Sequence, residues 1–159
     1  ATDALARADA TVPTLFGTGL QAPYEARAIT RIRPLSRLLV VGRDPARTDR
    51  FVEALWSEGL PAESASAEPA VRAAHIIVTA ATATARLFHA GWVQPGTHIS
   101  SMGCDAPGKQ ELPSDILRSA SLFCDLPEQS LRIGEFQHAG HEAHPIAIGA
   151  VLFGHAPGR

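Results

Sequence analysis

The stretch Thr14–Ala22, TLFGTGLQA, decides the fold of this chain. Its apolar start breaks at a Gly-x-Gly-x-x-Ala turn, and a helical pattern follows over residues 20–32. A second apolar run, residues 37–41, comes next. A glycine turn alone is weak evidence, but a turn between a strand and a helix, with a second strand beyond, is typical of a dinucleotide-binding sheet. The sequence therefore predicts a site for NAD(P).

Three positions of the turn have separate physical reasons. Gly17 permits the tight turn out of the strand, and Gly19 removes a side chain so that the backbone approaches a phosphate. Ala22 lets the helix pack close to the strand. Unpaired N–H groups and the positive end of the helix dipole would then hold the anion.

The end of the second predicted strand bears on the choice of cofactor. An acidic side chain there typically binds the ribose of NAD, whereas this chain has Gly42 followed by Arg43. The Arg43 guanidinium is suited to a 2′-phosphate and to stacking over adenine, which favours NADP(H). Asp44 keeps NAD(H) possible, because its carboxylate could turn toward the ribose. The alternative is that Arg43 and Asp44 form a solvated turn that caps the helix beginning at Pro45.

Composition limits the class of protein. The chain has 159 residues, of which 45% are hydrophobic, so it can form one sizeable core. A net charge of -2 lacks the excess positive charge that binding to nucleic acid or an anionic membrane would predict. There is no basic-then-apolar leader and no apolar run of about twenty residues, as a membrane span requires. With only Cys104 and Cys124, the chain is predicted to be a soluble protein of the reducing cytoplasm.

Strand and helix patterns alternate along the chain, which predicts a Rossmann-type α/β fold: a doubly wound, mostly parallel sheet with helices on both faces. The predicted strands cover residues 12–16, 37–41, 62–64, 75–79, 97–102 and 122–124. The predicted helices cover residues 20–32, 45–57, 68–73, 113–120, 128–139 and 146–153. We expect residues 1–10 to be the end of an incoming helix, residues 11–145 to be the NAD(P)-binding domain, and residues 146–159 to start an outgoing C-terminal segment.

Two loops are predicted to border the cofactor, because loops at the carboxyl ends of parallel strands face the ligand crevice. They are residues 78–82 and 102–112. The second carries Asp105, which could move a proton to or from an amine, and Lys109, which could neutralise a substrate carboxylate. The alternative is a Pro-Gly turn with solvated charges.

Several of these motifs together resemble the ornithine cyclodeaminase and mu-crystallin family, in the family's order and spacing. The matching residues are Gly17–Ala22, Val41–Arg43, Gly96–Ile99, Asp105–Leu112, Gln129 and Gly134–Glu135. The resemblance covers the nucleotide-binding domain only. It implies that a separate N-terminal region makes the dimer and supplies Arg and Lys for the substrate, and that a C-terminal tail returns to that region.

The resemblance also implies roles for individual residues. The pyrophosphate-binding residues would be Gly17, Thr18, Gly19, Leu20, Gln21 and Ala22. Gly42, Arg43 and Asp44 would surround the adenosine ribose, and Thr79, Met102 and Gly103 would lie along the nicotinamide half. Asp105 stands at the position of the acid/base aspartate of the cyclodeaminase branch, and Lys109 stands where that branch has a lysine beside the active site. The Gly42–Arg43 pair is closer to the NADP-using reductases, and Ala81 replaces a Thr common in the family.

The activity implied is hydride exchange at the α carbon of a small amino or imino acid. In one version ornithine becomes proline and ammonia, and in the other a cyclic ketimine such as pyrroline-2-carboxylate is reduced. The first alternative is a non-catalytic, NADP-dependent ligand-binding protein of the mu-crystallin type. A second is a Rossmann enzyme that uses S-adenosylmethionine, which the full glycine motif and Arg43 disfavour. A homodimer is expected for the longer parent protein, with neither nucleic acid nor a membrane as partner.

Other residues that often carry chemistry are given structural roles. His138, His141 and His144 are three residues apart, but Gly140 and Pro145 interrupt the helix that a metal site would need, so no metal is predicted. Cys104 lacks a neighbouring His and is interpreted as a small filler. His98, within a predicted strand, is interpreted as a core or interface histidine.

Overall fold

A parallel sheet of five strands forms the centre of the computed structural model, which describes residues 1–158. Its strand order is β3-β2-β1-β4-β5. The strands are β1 (Pro13–Phe16), β2 (Leu38–Val41), β3 (Ala62–Ser64), β4 (Ile76–Thr79) and β5 (His98–Ser101). This is the predicted Rossmann-type sheet, and β1 occupies its middle.

The strand order reverses at β1, so a ligand crevice is expected at the carboxyl end of that strand. From β1 the chain moves outward through β2 and β3, and then crosses back to add β4 and β5 on the other side. The register aligns Leu15 with Val40 on one side and with Val78 on the other. Ligands bind where the strand order reverses in this way, because the loops from neighbouring strands diverge there.

Helices cover both faces of the sheet. Leu15 and Val78 pack in a core cluster with the helices over residues 22–32 and 45–57, whereas Phe16 and Ile77 pack in a second cluster with the helices over residues 67–73 and 114–119. Successive residues of a strand point to opposite faces, so the two clusters lie on opposite sides of the sheet. The helices are α1 (Thr2–Leu5), α2 (Ala22–Ile32), α3 (Pro45–Ser57), α4 (Ala67–Ala73), α5 (Ser114–Ser119), α6 (Pro127–Ile133) and α7 (Ile148–Leu152). Throughout residues 1–158, every helix is too short or too polar to traverse a lipid bilayer.

The predicted strand at residues 122–124 exists but does not extend the main sheet. β6 (Phe123–Cys124) instead pairs in parallel with β7 (Ile146–Ala147) in a separate two-stranded sheet. The helix predicted over residues 146–153 is therefore wrong in its first two residues, which are extended. The Ile146 amide donates to the Leu122 carbonyl at 2.8 Å and draws this segment into the pair.

Two other predicted helices are too long. The helix predicted over residues 128–139 stops at Gly134, whose backbone is extended, and a 3-10 turn (Glu135–His138) follows. The helical part of residues 1–10 is confined to α1, because the Ala6 backbone is already extended. Both differences arise from a local change of backbone direction within a pattern that is compatible with a helix.

Candidate nucleotide-binding and catalytic edge

Gly17 is the residue that brings the turn after β1 against the loop after β4. Its φ is +110°, and a Cβ atom built on it would lie 2.5 Å from the Ala80 carbonyl oxygen. Its amide donates to the Val41 carbonyl at 2.9 Å, and the Ala80 amide donates to the Phe16 carbonyl at 2.8 Å. No side chain fits between these backbones, so the turn depends on glycine at this position.

The backbone amides that follow Gly17 are available to a ligand. Within residues 1–158, the amides of Thr18, Gly19, Leu20 and Gln21 donate no hydrogen bond. A Cβ at Gly19 would meet no atom within 4 Å, so the space above the turn is open. These unpaired N–H donors lie at the start of α2, an 11-residue helix, and open space lies beside them. Both properties suit the binding of a pyrophosphate.

Ala22 occupies the last position of the glycine motif and is fully buried in the core beneath α2. A larger side chain would push α2 away from the sheet, because this core is closely packed. A small residue at position 22 thus allows close packing of α2 on the sheet, which is the reason given for Ala22 in the sequence analysis.

At the end of β2, the space beside Gly42 is already filled. A Cβ on Gly42 would lie 2.0 Å from the Thr48 hydroxyl oxygen and 3.1 Å from the Thr18 methyl carbon. The Thr48 hydroxyl is held there because it donates to the Asp44 carbonyl at 2.8 Å. An acidic side chain at position 42, the usual partner of an NAD ribose, has no room in this packing.

Arg43 and Asp44, which follow Gly42, have different roles. Asp44 is the N-cap of α3, and its carboxylate accepts a hydrogen bond from the Arg47 amide at 3.1 Å. The capping interpretation is thus confirmed for Asp44. Arg43 is exposed and forms no ion pair with the described residues. The Arg47 guanidinium donates to the Thr18 carbonyl at 3.1 Å, so a second cation lies beside the glycine turn.

The residues predicted along the nicotinamide half differ in exposure. Met102 is 45% exposed, whereas Thr79 is fully buried and its hydroxyl donates to Ser101 at 3.1 Å. The Thr79 side chain therefore supports the edge from within the sheet, and its contact with a cofactor stays a prediction. Gly103 is half-buried at the start of the loop that carries Asp105.

Asp105 and Lys109 lie side by side in the loop after β5, and their roles beside a cofactor stay a prediction. The Lys109 ammonium donates to the Asp105 carboxylate in an ion pair, with 73% of the Asp105 side chain exposed and 27% of the Lys109 side chain exposed. The hydrogen bond and the positive charge of Lys109 hold the pKa of Asp105 below its ordinary value. The pair is thus an ionised carboxylate, open to solvent, with a partly enclosed cation beside it.

Sequence reasoning missed the side chains that hold this loop. They are Glu111 and Glu135, both buried, and Gln137 and His138, both half-buried. The Gly108 amide donates to the Gln137 amide oxygen at 2.9 Å, and the His138 ring lies 2.7 Å from the Lys109 carbonyl. The only signal in the sequence was that Glu111 and Glu135 fall within motifs of the resemblance.

The structure also assigns roles to the other residues considered. Burial raises the pKa of the Cys104 thiol to about 11, and its Sγ lies 3.1 Å from the Lys109 carbonyl, which confirms a packing role. Burial lowers the pKa of His98 to about 4, and its ring contacts the Thr2 hydroxyl at 3.2 Å, so His98 has a structural packing role at a half-buried position of β5. Across residues 1–158, no three His, Cys, Asp or Glu side chains are arranged to hold a metal ion.

Residues 1–159 match the ornithine cyclodeaminase/mu-crystallin family. A curated relative, an uncharacterised cyclodeaminase of Sinorhizobium fredii, is 39% identical over 98% of this chain and 50% of its own length. The chain spans about half the length of such curated relatives.

Solved structures share the fold over the whole chain. An archaeal alanine dehydrogenase dimer with bound NAD superposes with a TM-score of 0.93 at 32% identity, covering 100% of this chain and 51% of the other. The Thermococcus litoralis Δ1-pyrroline-2-carboxylate reductase, in complex with NADH and L-proline, gives a TM-score of 0.91 at 27% identity, covering 100% and 52%.

Proposed function

The chain belongs to the ornithine cyclodeaminase/mu-crystallin family, and we propose that it is the cofactor-binding half of an enzyme that exchanges hydride with the α carbon of an amino or imino acid. The observation that carries the proposal is the position of the two chemical groups. The open amides after Gly17 and the Asp105–Lys109 pair follow strands whose carboxyl ends share one edge of the sheet.

A nicotinamide dinucleotide, when bound, would supply the hydride acceptor and donor. The turn Gly17–Ala22 would hold the pyrophosphate through its unpaired amides and the positive end of α2. Gly42 and Arg43 would surround the ribose, and Met102 and Gly103 would border the nicotinamide half.

We further propose that NADP(H) is preferred over NAD(H). The packing of Thr48 against Gly42 supports this preference, because it leaves no room for an acidic ribose ligand. Arg47 places a guanidinium beside the turn, and Arg43 follows Gly42 at the end of β2, so a 2′-phosphate there would be favoured by positive charge. NAD(H) is the alternative, since the alanine dehydrogenase and the pyrroline-2-carboxylate reductase carry NAD and NADH.

Asp105 would act as the proton carrier for the substrate amine. Lys109 keeps the pKa of Asp105 low, so the carboxylate is ionised in the free chain and can accept a hydrogen bond from the substrate amine. Lys109 would also face the substrate carboxylate. The substrate would be ornithine, which yields proline and ammonia, or a cyclic ketimine such as pyrroline-2-carboxylate, which is reduced. We propose a cytoplasmic homodimer for the longer parent protein.

Titration of the purified chain with NADPH and with NADH, followed by cofactor fluorescence, tests the proposal. We expect both to bind, with NADPH tighter. Arg43→Ala should weaken NADPH binding about tenfold and NADH binding by a smaller factor, because both cofactors present adenine but only NADPH presents a 2′-phosphate. Arg31→Ala, at an exposed position in the last turn of α2, is the matched control. Failure of both cofactors to bind would overturn the proposal, and tighter binding of NADH would overturn the preference.

Turnover gives a second test, by NMR detection of proline formed from ornithine. Because the resemblance assigns substrate-binding Arg and Lys to another region, we expect residues 1–159 alone to convert ornithine very slowly or not at all. Rapid conversion would contradict this division of the site. A parent protein that binds cofactor but neither converts ornithine nor reduces a cyclic ketimine would favour a ligand-binding protein of the mu-crystallin type.

A further inference from the structure

Glu111 is a fully buried carboxyl group at the carboxyl ends of β4 and β5. One of its oxygens accepts the Ala81 amide at 2.7 Å, and the other accepts the Gly103 amide at 3.0 Å. The second oxygen also lies 3.4 Å from the Ser101 hydroxyl. A single side chain therefore joins the loop after β4 to the loop after β5.

Gly103 is matched to this carboxyl group. A Cβ on Gly103 would lie 2.1 Å from a Glu111 oxygen and 2.2 Å from the Ala81 carbonyl oxygen. The backbone of residue 103 can approach the carboxyl group because it carries no side chain. The close approach of the two loops thus needs both a glycine and an acceptor with two free oxygens.

Glu111 is itself held in place by a second buried acidic residue. The Glu135 side chain accepts the Glu111 amide at 2.6 Å and the Leu112 amide at 3.2 Å. These bonds fix the backbone from which the Glu111 side chain extends. Burial of a carboxyl group is unfavourable unless donors compensate, and here each of the two carboxyl groups accepts two backbone amides.

The two joined loops are the ones that border the nicotinamide half in the proposed function. Ala81 follows Ala80, whose carbonyl contacts Gly17, and Gly103 follows the exposed Met102. The adenosine end lies elsewhere, beside Gly42 and Arg43 after β2. The pyrophosphate turn lies between the two ends and is held independently by the bond from the Gly17 amide to the Val41 carbonyl at 2.9 Å. A change in Glu111 would thus displace one end of the cofactor site and leave the other in place.

We propose that Glu111 is a positioning residue, which sets the separation of the loops after β4 and β5 and thereby orders the nicotinamide end of the cofactor site. This inference rests on the proposed function and names the residue that builds one half of that site. Glu111 reaches the cofactor only through the backbones of Ala81 and Gly103, since its oxygens are occupied by their amides.

The test compares a whole cofactor with a fragment that lacks nicotinamide. The dissociation constants of NADPH and of 2′-phospho-ADP-ribose, or of NADH and ADP-ribose if NADH binds tighter, are measured for wild type and Glu111→Gln. Glutamine keeps one acceptor oxygen but places an NH2 donor against the second backbone amide. We expect the whole cofactor to bind about tenfold more weakly, with the fragment unchanged.

A second variant and a control keep the result interpretable if Glu111→Gln folds poorly. Ser101→Ala removes the hydroxyl at 3.4 Å and should weaken the whole cofactor by a smaller factor, again without changing the fragment. Glu63→Gln, on the exposed edge strand β3, is the matched control and should change neither affinity.

Each outcome has a distinct meaning. Equal weakening of cofactor and fragment in both Glu111→Gln and Ser101→Ala would show a general structural role and would overturn the positioning role. Unchanged cofactor affinity in a folded Glu111→Gln variant would overturn it as well. Failure of the wild-type chain to bind either whole cofactor would instead overturn the proposed function.

Discussion

The turn after β1 and the loop after β5 are held in place by different kinds of hydrogen bond. The turn is joined to its neighbours by main-chain bonds, such as Gly17 to Val41 and Ala80 to Phe16. The loop is held by side chains that accept main-chain amides, namely those of Glu111, Glu135 and Gln137. The first segment thus depends on backbone geometry, and the second depends on the identity of a few polar residues.

This difference has a consequence for how each segment responds to mutation. In a parallel sheet, main-chain hydrogen bonds position the strand ends largely independently of the side chains. We therefore expect substitutions in the turn after β1 to be destabilising only where an added Cβ has no room. The loop after β5 has only single main-chain bonds, such as the one from the Leu87 amide to the Glu111 carbonyl at 2.8 Å, so we expect it to move when one buried acceptor is removed. Substitutions in the two segments therefore test whether backbone geometry stabilises the first and buried side-chain acceptors stabilise the second.

The largest expected effect is that of Gly17→Ala. Alanine would have to adopt φ +110° and place its Cβ 2.5 Å from the Ala80 carbonyl oxygen. We expect the free energy of unfolding, measured in urea, to fall by about 3 kcal/mol, the sum of a left-handed backbone and an overpacked contact.

Gly59→Ala is the control for that experiment. Gly59 has φ +82° but nothing within 4 Å of a Cβ, so only the backbone strain applies. Its unfolding free energy should fall by about 1 kcal/mol. Equal losses in the two variants would mean that contact with the loop after β4 does not constrain the turn.

A smaller effect, on the order of 1 kcal/mol, is expected for Glu135→Gln in the side-chain-held segment. Burial raises the pKa of Glu135 above 4.5, so the folded state favours the protonated form. The stability that this preference contributes is complete below pH 4.5 and is lost as pH rises through the folded pKa. Unfolding free energies measured against pH should therefore show wild type losing stability relative to the variant above pH 4.5.

Glu58→Gln provides a control of opposite sign. The hydrogen bond from Arg27 lowers the pKa of Glu58, so its contribution is present above pH 4.5 and is lost as pH falls. Wild type should thus gain stability relative to this variant as pH rises. A pH dependence of the same sign in both pairs would contradict the assignment of Glu135 as a buried acid.

The smallest effect on stability is expected for Lys109→Met, because Asp105 is exposed and surface ion pairs contribute little. The measurable change is in the pKa of Asp105, which should rise toward 3.8 once the hydrogen bond and charge of Lys109 are removed. NMR titration of the Asp105 carboxyl carbon reports it. Arg118→Met, which removes the partner of Asp115 on α5, should leave Asp105 unchanged.

The five central strands and their covering helices were predictable because their signals are local. Residues 45–57 and 62–64 have the same bounds in the prediction and in the structure. A proline at the first position of α3 and Asp44 as its cap specify a helix start without reference to the rest of the chain. The bounds after residue 120 were less predictable, because short apolar segments there are compatible with either helix or strand.

The order of the five central strands and their helices, the glycine turn, and the charged residues at the carboxyl ends of the strands can be read from the sequence. Those features follow from periodicity and from the backbone freedom of single residues. The pairing of β6 with β7, the link that Glu111 makes between the loops after β4 and β5, and the support of Glu111 by Glu135 emerge only in the folded chain. Such partners lie 30 and 24 residues apart, and a buried polar group finds its partner through the folding of the whole chain.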